Sequence, residues 1–230
     1  VTPPLDASAP SADRSVPTRI VTPTSLLDLR ADHVDELRYP ATAVLIFAGV
    51  PGAGKSTALH RLFGADPNAE VAVRATSGAL VLDSNHARNR LRHRLGRVPY
   101  PLWRPLVHWA HYRAIRAALL IADGPVAIHD CATFAWSRRL IARWARAGTR
   151  EVHMVLIDVP AAQARRGQVV RGRQVNTVAF GAHCRRWERL MRDLGARDAE
   201  PRTPLPATSL VIVDRPTLSA ISRIAFTSSA

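Results

Sequence analysis

The chain has 230 residues, 47% of them hydrophobic, two cysteines and a formal net charge of +14. That length suits one domain with an appendage, and the apolar content suffices for a sizeable core. No run reaches the ~18 uninterrupted apolar residues of a membrane span, the start lacks the apolar stretch of a secretory leader, and Cys131 and Cys184 show no metal-ligand spacing, so a cytoplasmic protein with two reduced, buried thiols is expected.

Residues 1–38 read as an extension. Up to Ser25 they are rich in Pro, Ser and Thr and aperiodic, which predicts no fixed structure. "SLLDLRADHVDEL" then carries apolar residues at helical spacing behind a possible Ser25 cap, and predicts a short helix. From residue 39 a single α/β domain is expected. "ATAVLIFAG" is a continuous apolar run, the pattern of a strand buried on both faces of a parallel sheet. A helix from Lys55 to about Phe63 follows. "GALVLD" is a second strand, "SNHARNRLRHRL" a polar helix, and "YPLWRPLVHWAHYRAIRAALLIADG" a long helix entered through Pro105 and stopped at Gly124. "PVAIHD" is a third strand, "AWSRRLIARWARAG" an amphipathic helix closed by Gly148, and "EVHMVLIDV" a fourth strand with Pro160 opening the next helix. "VAFGAHCRRWERLMRDLG" is a further helix, "TSLVIVD" the last strand, and Pro216 opens a short terminal helix. Alternating strands and helices predict a doubly wound parallel sheet of about five strands.

Gly49-Val50-Pro51-Gly52-Ala53-Gly54-Lys55-Ser56 matches G-x-x-x-x-G-K-[ST] in full, between a buried strand and a helix. Glycines let successive backbone N–H groups turn inward at phosphate oxygens. The helix behind them aims its positive dipole end at the same anion. Lys55 reaches the β- and γ-phosphates, and the Ser56 hydroxyl can ligate Mg²⁺. The chain has 32 Lys and Arg residues, and Lys55 is the only lysine among them. Where composition has turned every other amine into a guanidinium, the survivor marks a site that needs a compact ammonium.

The other strand ends narrow the class, because ligands gather at the carboxyl ends of parallel strands. Asp83 ends the second strand and Asp130 the third. A carboxylate there can hold Mg²⁺ or accept the proton of an attacking hydroxyl; capping the helix that follows is the alternative for each. Asp130 is followed by Cys131 and Ala132, so the second acid that polarises water in a motor ATPase is missing. The N-K-x-D motif of a GTPase is absent as well. Transfer to an acceptor is therefore favoured over hydrolysis. "ARRGQVVRGRQ" sets Arg165, Arg166, Arg171 and Arg173 after the fourth strand, with Gly167 and Gly172 as hinges. This reads either as an Arg-bearing lid that offsets charge on a transferred phosphoryl group or as a solvated basic loop.

In this order of parts the chain resembles the small ATP-dependent kinases described as AAA-domain or zeta-toxin-like proteins, which include polynucleotide 5′-kinases and antibiotic phosphotransferases. The resemblance runs from about Ala43 to Asp214. It implies ATP and Mg²⁺ as cofactors, with Gly49, Pro51, Gly52, Ala53, Gly54, Lys55, Ser56 and Thr57 around the phosphates and Ser56 and Asp130 on the metal. It implies Asp83 or Asp130 as base, Arg166, Arg171 and Arg173 as the lid, Asp214 and Arg215 beside the adenine, and Arg138 on the acceptor side. One departure stands out. Such kinases carry D-x-x-R after the second strand, whereas Asn85 stands three residues before Arg88, and Asp83 lies two residues earlier. Asp83 would then take the base role, with Arg88 or Arg90 on the acceptor.

The acceptor itself is left open. Between the second and third strands, Tyr100, Trp103, Arg104, His108, Trp109, His111 and Tyr112 mix rings with hydrogen-bonding heads. Of these, Arg104 and His108 are the acceptor-site candidates, and Trp109 is read as core. The leading expectation is phosphotransfer to a hydroxyl of a small molecule or nucleotide. A polynucleotide 5′-kinase or nucleic-acid-binding ATPase is the alternative suggested by the charge, although the arginines are spread along the chain rather than gathered into an arm. A non-catalytic nucleotide sensor is the alternative suggested by Asn85.

Overall fold

The computed structural model describes residues 18–169, 176–195 and 205–227. Its central element is β4 (Val44–Ala48), whose five apolar residues are all buried. A strand with no polar face needs cover on both sides, and it receives it. β7 (Val126–His129) and β8 (Val152–Ile157) pair with it in parallel, β6 (Leu80–Leu82) extends the sheet beyond β7, and β9 (Ser209–Val213) extends it beyond β8. The parallel register brings Gly49, Asp83, Asp130, Asp158 and Asp214, each at or just past the end of its strand, to one edge of the sheet. Since β4 is followed in sequence by strands on one side and later by strands on the other, the reversal of winding falls beside its carboxyl end, where α/β sheets open a crevice.

The helices are α1 (Lys55–Phe63), α2 (Ser84–Leu95), α3 (Tyr100–Ile121), α4 (Ala135–Ala147), α5 (Ala161–Val169), α6 (Thr177–Gly195) and α7 (Arg215–Ala220). They follow the predicted helices closely. α3 differs at its start: it begins at Tyr100 with Pro101 in the first turn, and Pro105 lies inside it rather than at its entrance. Pro101 is tolerated because first-turn N–H groups have no partner within the helix; Pro105 forgoes only the bond to the Pro101 carbonyl.

The predicted helix over "SLLDLRADHVDEL" is a pair of strands, β2 (Leu26–Asp28) and β3 (Glu36–Pro40). β2 joins the main sheet in parallel beside β9, with Leu26 opposite Leu210. β3 pairs in parallel with β1 (Ile20–Val21) and with β10 (Arg223–Thr227), a strand the sequence reading lacked. Helical spacing gives way here to an unpaired sheet edge and to a C-terminal strand almost two hundred positions away, partners that no local pattern reports. With the antiparallel β5 (Val73–Arg74), the described residues form a sheet of seven strands instead of about five, plus a second sheet of three. Trp109 is also a correction: it is 59% exposed, its ring under the Arg113 guanidinium. The buried face of α3 instead carries Trp103, Val107 and Ala110 against Ala87. Cys131 and Cys184 are both free; Cys184 is buried, as expected, and Cys131 is half-buried. Among the described residues no helix is long and apolar enough to cross a membrane.

Asp214 ties the N-terminal segment to this frame. Its Oδ1 accepts from Thr217 N at 2.8 Å and caps α7, while Oδ2 accepts from Ala31 N at 3.0 Å. Burial opposes the charge, but these bonds win and hold the carboxyl below the usual range. Asp214→Ala should cost about 1–2 kcal/mol at neutral pH, measured by urea denaturation. Because the folded-state pKa is depressed, the difference from wild type should be complete above about pH 4 and shrink as pH falls through the folded value.

Candidate functional site

The P-loop bends where its glycines allow. Gly52 has φ +90°, and a Cβ there would lie 2.1 Å from the Ala164 carbonyl oxygen, so α5 packs directly on the loop backbone. Gly54 has φ +116° with open space around it and precedes α1 with no side-chain cap. No side chain of the cap residue covers the start of α1, the end of a helix that favours an anion.

Turning N–H groups inward turns carbonyls outward, and these are taken up. Gln168 Nε2 donates to Pro51 O at 2.9 Å, and Arg215 Nη2 to Gly52 O at 2.7 Å. Lys55, 3% exposed, donates through Nζ to Gly49 O at 2.7 Å and Val50 O at 3.0 Å. An ammonium so buried needs such partners. Thr57 is exposed in the first turn of α1.

The two aspartates divide. Asp83 is the N-cap of α2: its Oδ1 accepts from Asn85 N at 2.9 Å, while His86 Nδ1 accepts from the Asp83 N–H. The same Oδ1 lies 2.7 Å from His129 Nδ1. A carboxylate only accepts, so this nitrogen carries the hydrogen. Burial works against the charge of Asp83, but His129, Asn85 and Ser56 together hold its carboxyl far below the usual range. Ser56 Oγ is 3.2 Å from His129 Nδ1 and accepts from Asn85 Nδ2 at 3.3 Å. The groups around the Ser56 hydroxyl are therefore His129, Asn85 and Asp83. His111 Nε2 donates to His129 O at 2.9 Å, and burial pushes the His111 imidazole down to about 4, leaving it neutral.

Asp130 turns the other way. It caps no helix, since α4 begins at Ala135 behind Phe134. Its Oδ1 accepts from the Tyr112 hydroxyl at 3.2 Å; its Oδ2 is buried and, among the described residues, has no hydrogen-bond partner. Basic side chains gather near it; burial pushes the imidazoles of His108 and His183 down. Its charge is felt by His108 on α3, Arg138 on α4 and His183 on α6. Arg104 Nε lies 3.3 Å from His108 Nε2, and Arg138 Nη1 donates to Ala132 O at 2.5 Å. Burial, with the charges of Arg104, Lys55 and Arg186, pushes His183 down to about 4. His183 thus stands within electrostatic reach of both the P-loop lysine and Asp130, with Nδ1 2.8 Å from Thr133 Oγ1.

The structure so brings together Lys55, Ser56 and Asp83 at the loop, and Asp130 with Arg104, His108 and Arg138 on a second side. Arg88 is drawn elsewhere, its guanidinium 4.6 Å from the Tyr100 ring centre. Asp214 is taken up by its cap and Arg215 by the loop carbonyls. Arg166 is exposed on α5, close enough to Arg215 to act on its charge. Arg171 and Arg173 lie outside the described residues. His129 and His183 escaped the sequence reading. For His129 a signal existed, a polar residue directly before the strand-end aspartate of an otherwise apolar run; for His183 there was none, because a histidine in an amphipathic helix is ordinary.

A protein-family model described as AAA domain matches residues 44–196, more than half of the chain. The chain belongs to that family. Comparison with curated proteins gives no match. Among solved structures, this AAA-domain protein is similar to the PezAT chromosomal toxin-antitoxin system of Streptococcus pneumoniae, at 12% identity and TM-score 0.47 over 72% of this chain and 67% of that one. It is also similar to the tunicamycin resistance protein of Deinococcus radiodurans, at 18% identity and TM-score 0.42 over 65% and 80%. A third is the APS kinase of Mycobacterium tuberculosis in complex with AMPPNP and APS, at 16% identity and TM-score 0.40 over 79% and 95%.

The P-loop geometry predicts an asymmetry between two glycines. Gly52→Ala adds a backbone clash to left-handed strain and should cost about 1–3 kcal/mol or more. Gly54→Ala meets open space and should cost about 1 kcal/mol. Chemical denaturation of the two variants side by side checks the order.

Proposed function

We propose that the protein is an ATP-dependent phosphotransferase that moves the γ-phosphoryl group to a hydroxyl acceptor. The observation that carries this reading is Asp130: a half-buried carboxylate whose Oδ2 is buried and, among the described residues, unpartnered, near the P-loop lysine, in a surround of Arg104, His108 and Arg138. A buried acceptor oxygen left without a donor is costly, and an incoming hydroxyl would satisfy it.

In this mechanism the acceptor O–H donates to Asp130 Oδ2. As its oxygen attacks the γ-phosphorus, the proton passes to Asp130 and the bond to the β-phosphate oxygen breaks, releasing ADP. Tyr112 keeps the carboxylate oriented through the other oxygen. Lys55 leaves the loop carbonyls for the phosphates, and the N–H groups at the start of α1 hold the anion against developing charge. A divalent cation, when bound, offsets charge on the β- and γ-phosphate oxygens; Ser56 and Asp83, which share one side of the loop, would hold it. Asp83 is then no base, because its capping and His129 contacts already engage it. Of the two roles that the resemblance implies for Asp130, metal ligand and proton acceptor, this reading keeps the second. A lid role for Arg166, Arg171 and Arg173 is supported by chain order and by the place of Arg166 on α5, the helix that packs on Gly52.

The test is incubation with γ-labelled ATP and a panel of sugars, nucleosides, antibiotics and 5′-hydroxyl oligonucleotides. Oligonucleotides belong in it because Trp109 and Arg113 form an exposed ring–guanidinium pair of the kind that stacks bases. Label should move to an acceptor; release only as free phosphate, at full rate without any acceptor, would overturn the reading. Asp130→Asn should lower kcat by about 10²–10⁴ while ATP affinity stays within about threefold, since that side chain touches the acceptor rather than the nucleotide.

A further inference from the structure

Three donor atoms from three elements converge beside the P-loop: Ser56 Oγ from the first turn of α1, Asp83 Oδ1 from the cap of α2, and His129 Nδ1 from the end of β7. The histidine nitrogen is 2.7 Å from the carboxylate oxygen and 3.2 Å from the hydroxyl. Neighbouring ligands of an octahedral ion with bonds of about 2.1 Å stand about 3 Å apart, and the two observed spacings bracket that edge. The donors are also braced from behind. Asp83 is held by Asn85 N, and the backbone of His129 by His111. Among the described residues no three of His, Cys, Asp and Glu gather in one place, so the remaining positions would fall to nucleotide phosphate oxygens and water, as at other nucleotide-bound cations.

What sets this trio apart is its nitrogen. Mg²⁺ favours oxygen ligands throughout, whereas an imidazole suits the first-row transition ions. We propose that His129 is a direct ligand of the nucleotide-bound cation, and that the site consequently takes Mn²⁺ in preference to Mg²⁺. Ligation uses the neutral imidazole with its hydrogen on Nε2, so that the Nδ1 lone pair exchanges its contacts to Asp83 and Ser56 for a bond to the metal. The inference rests on the phosphotransferase reading for its nucleotide, though not for any turnover.

The test uses the full chain with β,γ-methylene ATP, which resists hydrolysis and carries no nitrogen beside the phosphates. With Mn²⁺, electron spin-echo modulation should show a directly bound imidazole ¹⁴N, lost in His129→Asp. Calorimetric titration should give at least tenfold tighter nucleotide binding with Mn²⁺ than with Mg²⁺, a ratio that falls towards one in His129→Asp, where the ligands are all oxygen. His129→Asn, of nearly the same size as the acidic variant and uncharged, gives a second measure of both signals. Nucleotide binding without the nitrogen modulation, or with the same Mn²⁺/Mg²⁺ ratio in wild type and variants, overturns the inference and leaves the phosphotransferase reading standing. Failure of the nucleotide to bind with either ion overturns both.

Discussion

A loop that cradles phosphate must point its N–H groups at the ligand, and so must point its carbonyls at the protein. Everything around the site answers that constraint. Gly49 O and Val50 O accept from Lys55, Pro51 O from Gln168 and Gly52 O from Arg215. Left unpaired, each buried carbonyl would cost about 1–3 kcal/mol, and the loop would relax out of its strained turn. The bracing reaches three elements beyond the loop: α5 through Gln168 and the close approach of Ala164 to Gly52, α7 through Arg215, and β8 beneath Gly49. Arg215 Nη2 also links the cradle to α5, donating to both Gly52 O and Gln163 O.

The second organising feature is the division between two carboxylates at neighbouring strand ends. Asp83 and Asp130 follow strands that pair in register, with Leu82 opposite Ile128, yet their surroundings have little in common. Asp83 sits among donors: a helix N-terminus, an imidazole and a hydroxyl. Asp130 accepts from a single phenol, with the arginine Arg138 and the imidazoles of His108 and His183 within reach of its charge. The first arrangement stabilises a charge in place, and the second leaves a charge available. The alternation of a strand accounts for part of the difference, because consecutive side chains leave on opposite faces. His129 faces the P-loop serine, so Asp130, next along the chain, faces α3.

Much of this was legible before any coordinates. The P-loop is a contiguous string, and its chemistry is a matter of backbone freedom and one ammonium, all local. The buried strand, the helices with their glycine stops and the strand-end aspartates follow from short-range pattern as well. What stayed hidden was pairing. Residues 26–40 hold enough leucine and valine at helical spacing to suggest a helix, and only the open edge of β9 and the distant β10 turn them into strands. Trp109 illustrates the same limit at side-chain scale. An aromatic in a long helix is a fair core candidate, but α3 is rotated so that Trp103 takes the inward position.

The sequence by itself determined that this protein carries a phosphate-binding loop on a parallel α/β sheet, because strand, glycines, lysine and helix are adjacent in the chain and each acts on its neighbour. The tertiary structure alone decided which aspartate is engaged and which is open, that an imidazole stands beside the P-loop serine, and that Arg215 bonds the loop's backbone. Those outcomes depend on groups that meet only after the strands are aligned in register, at distances no spacing along the chain encodes.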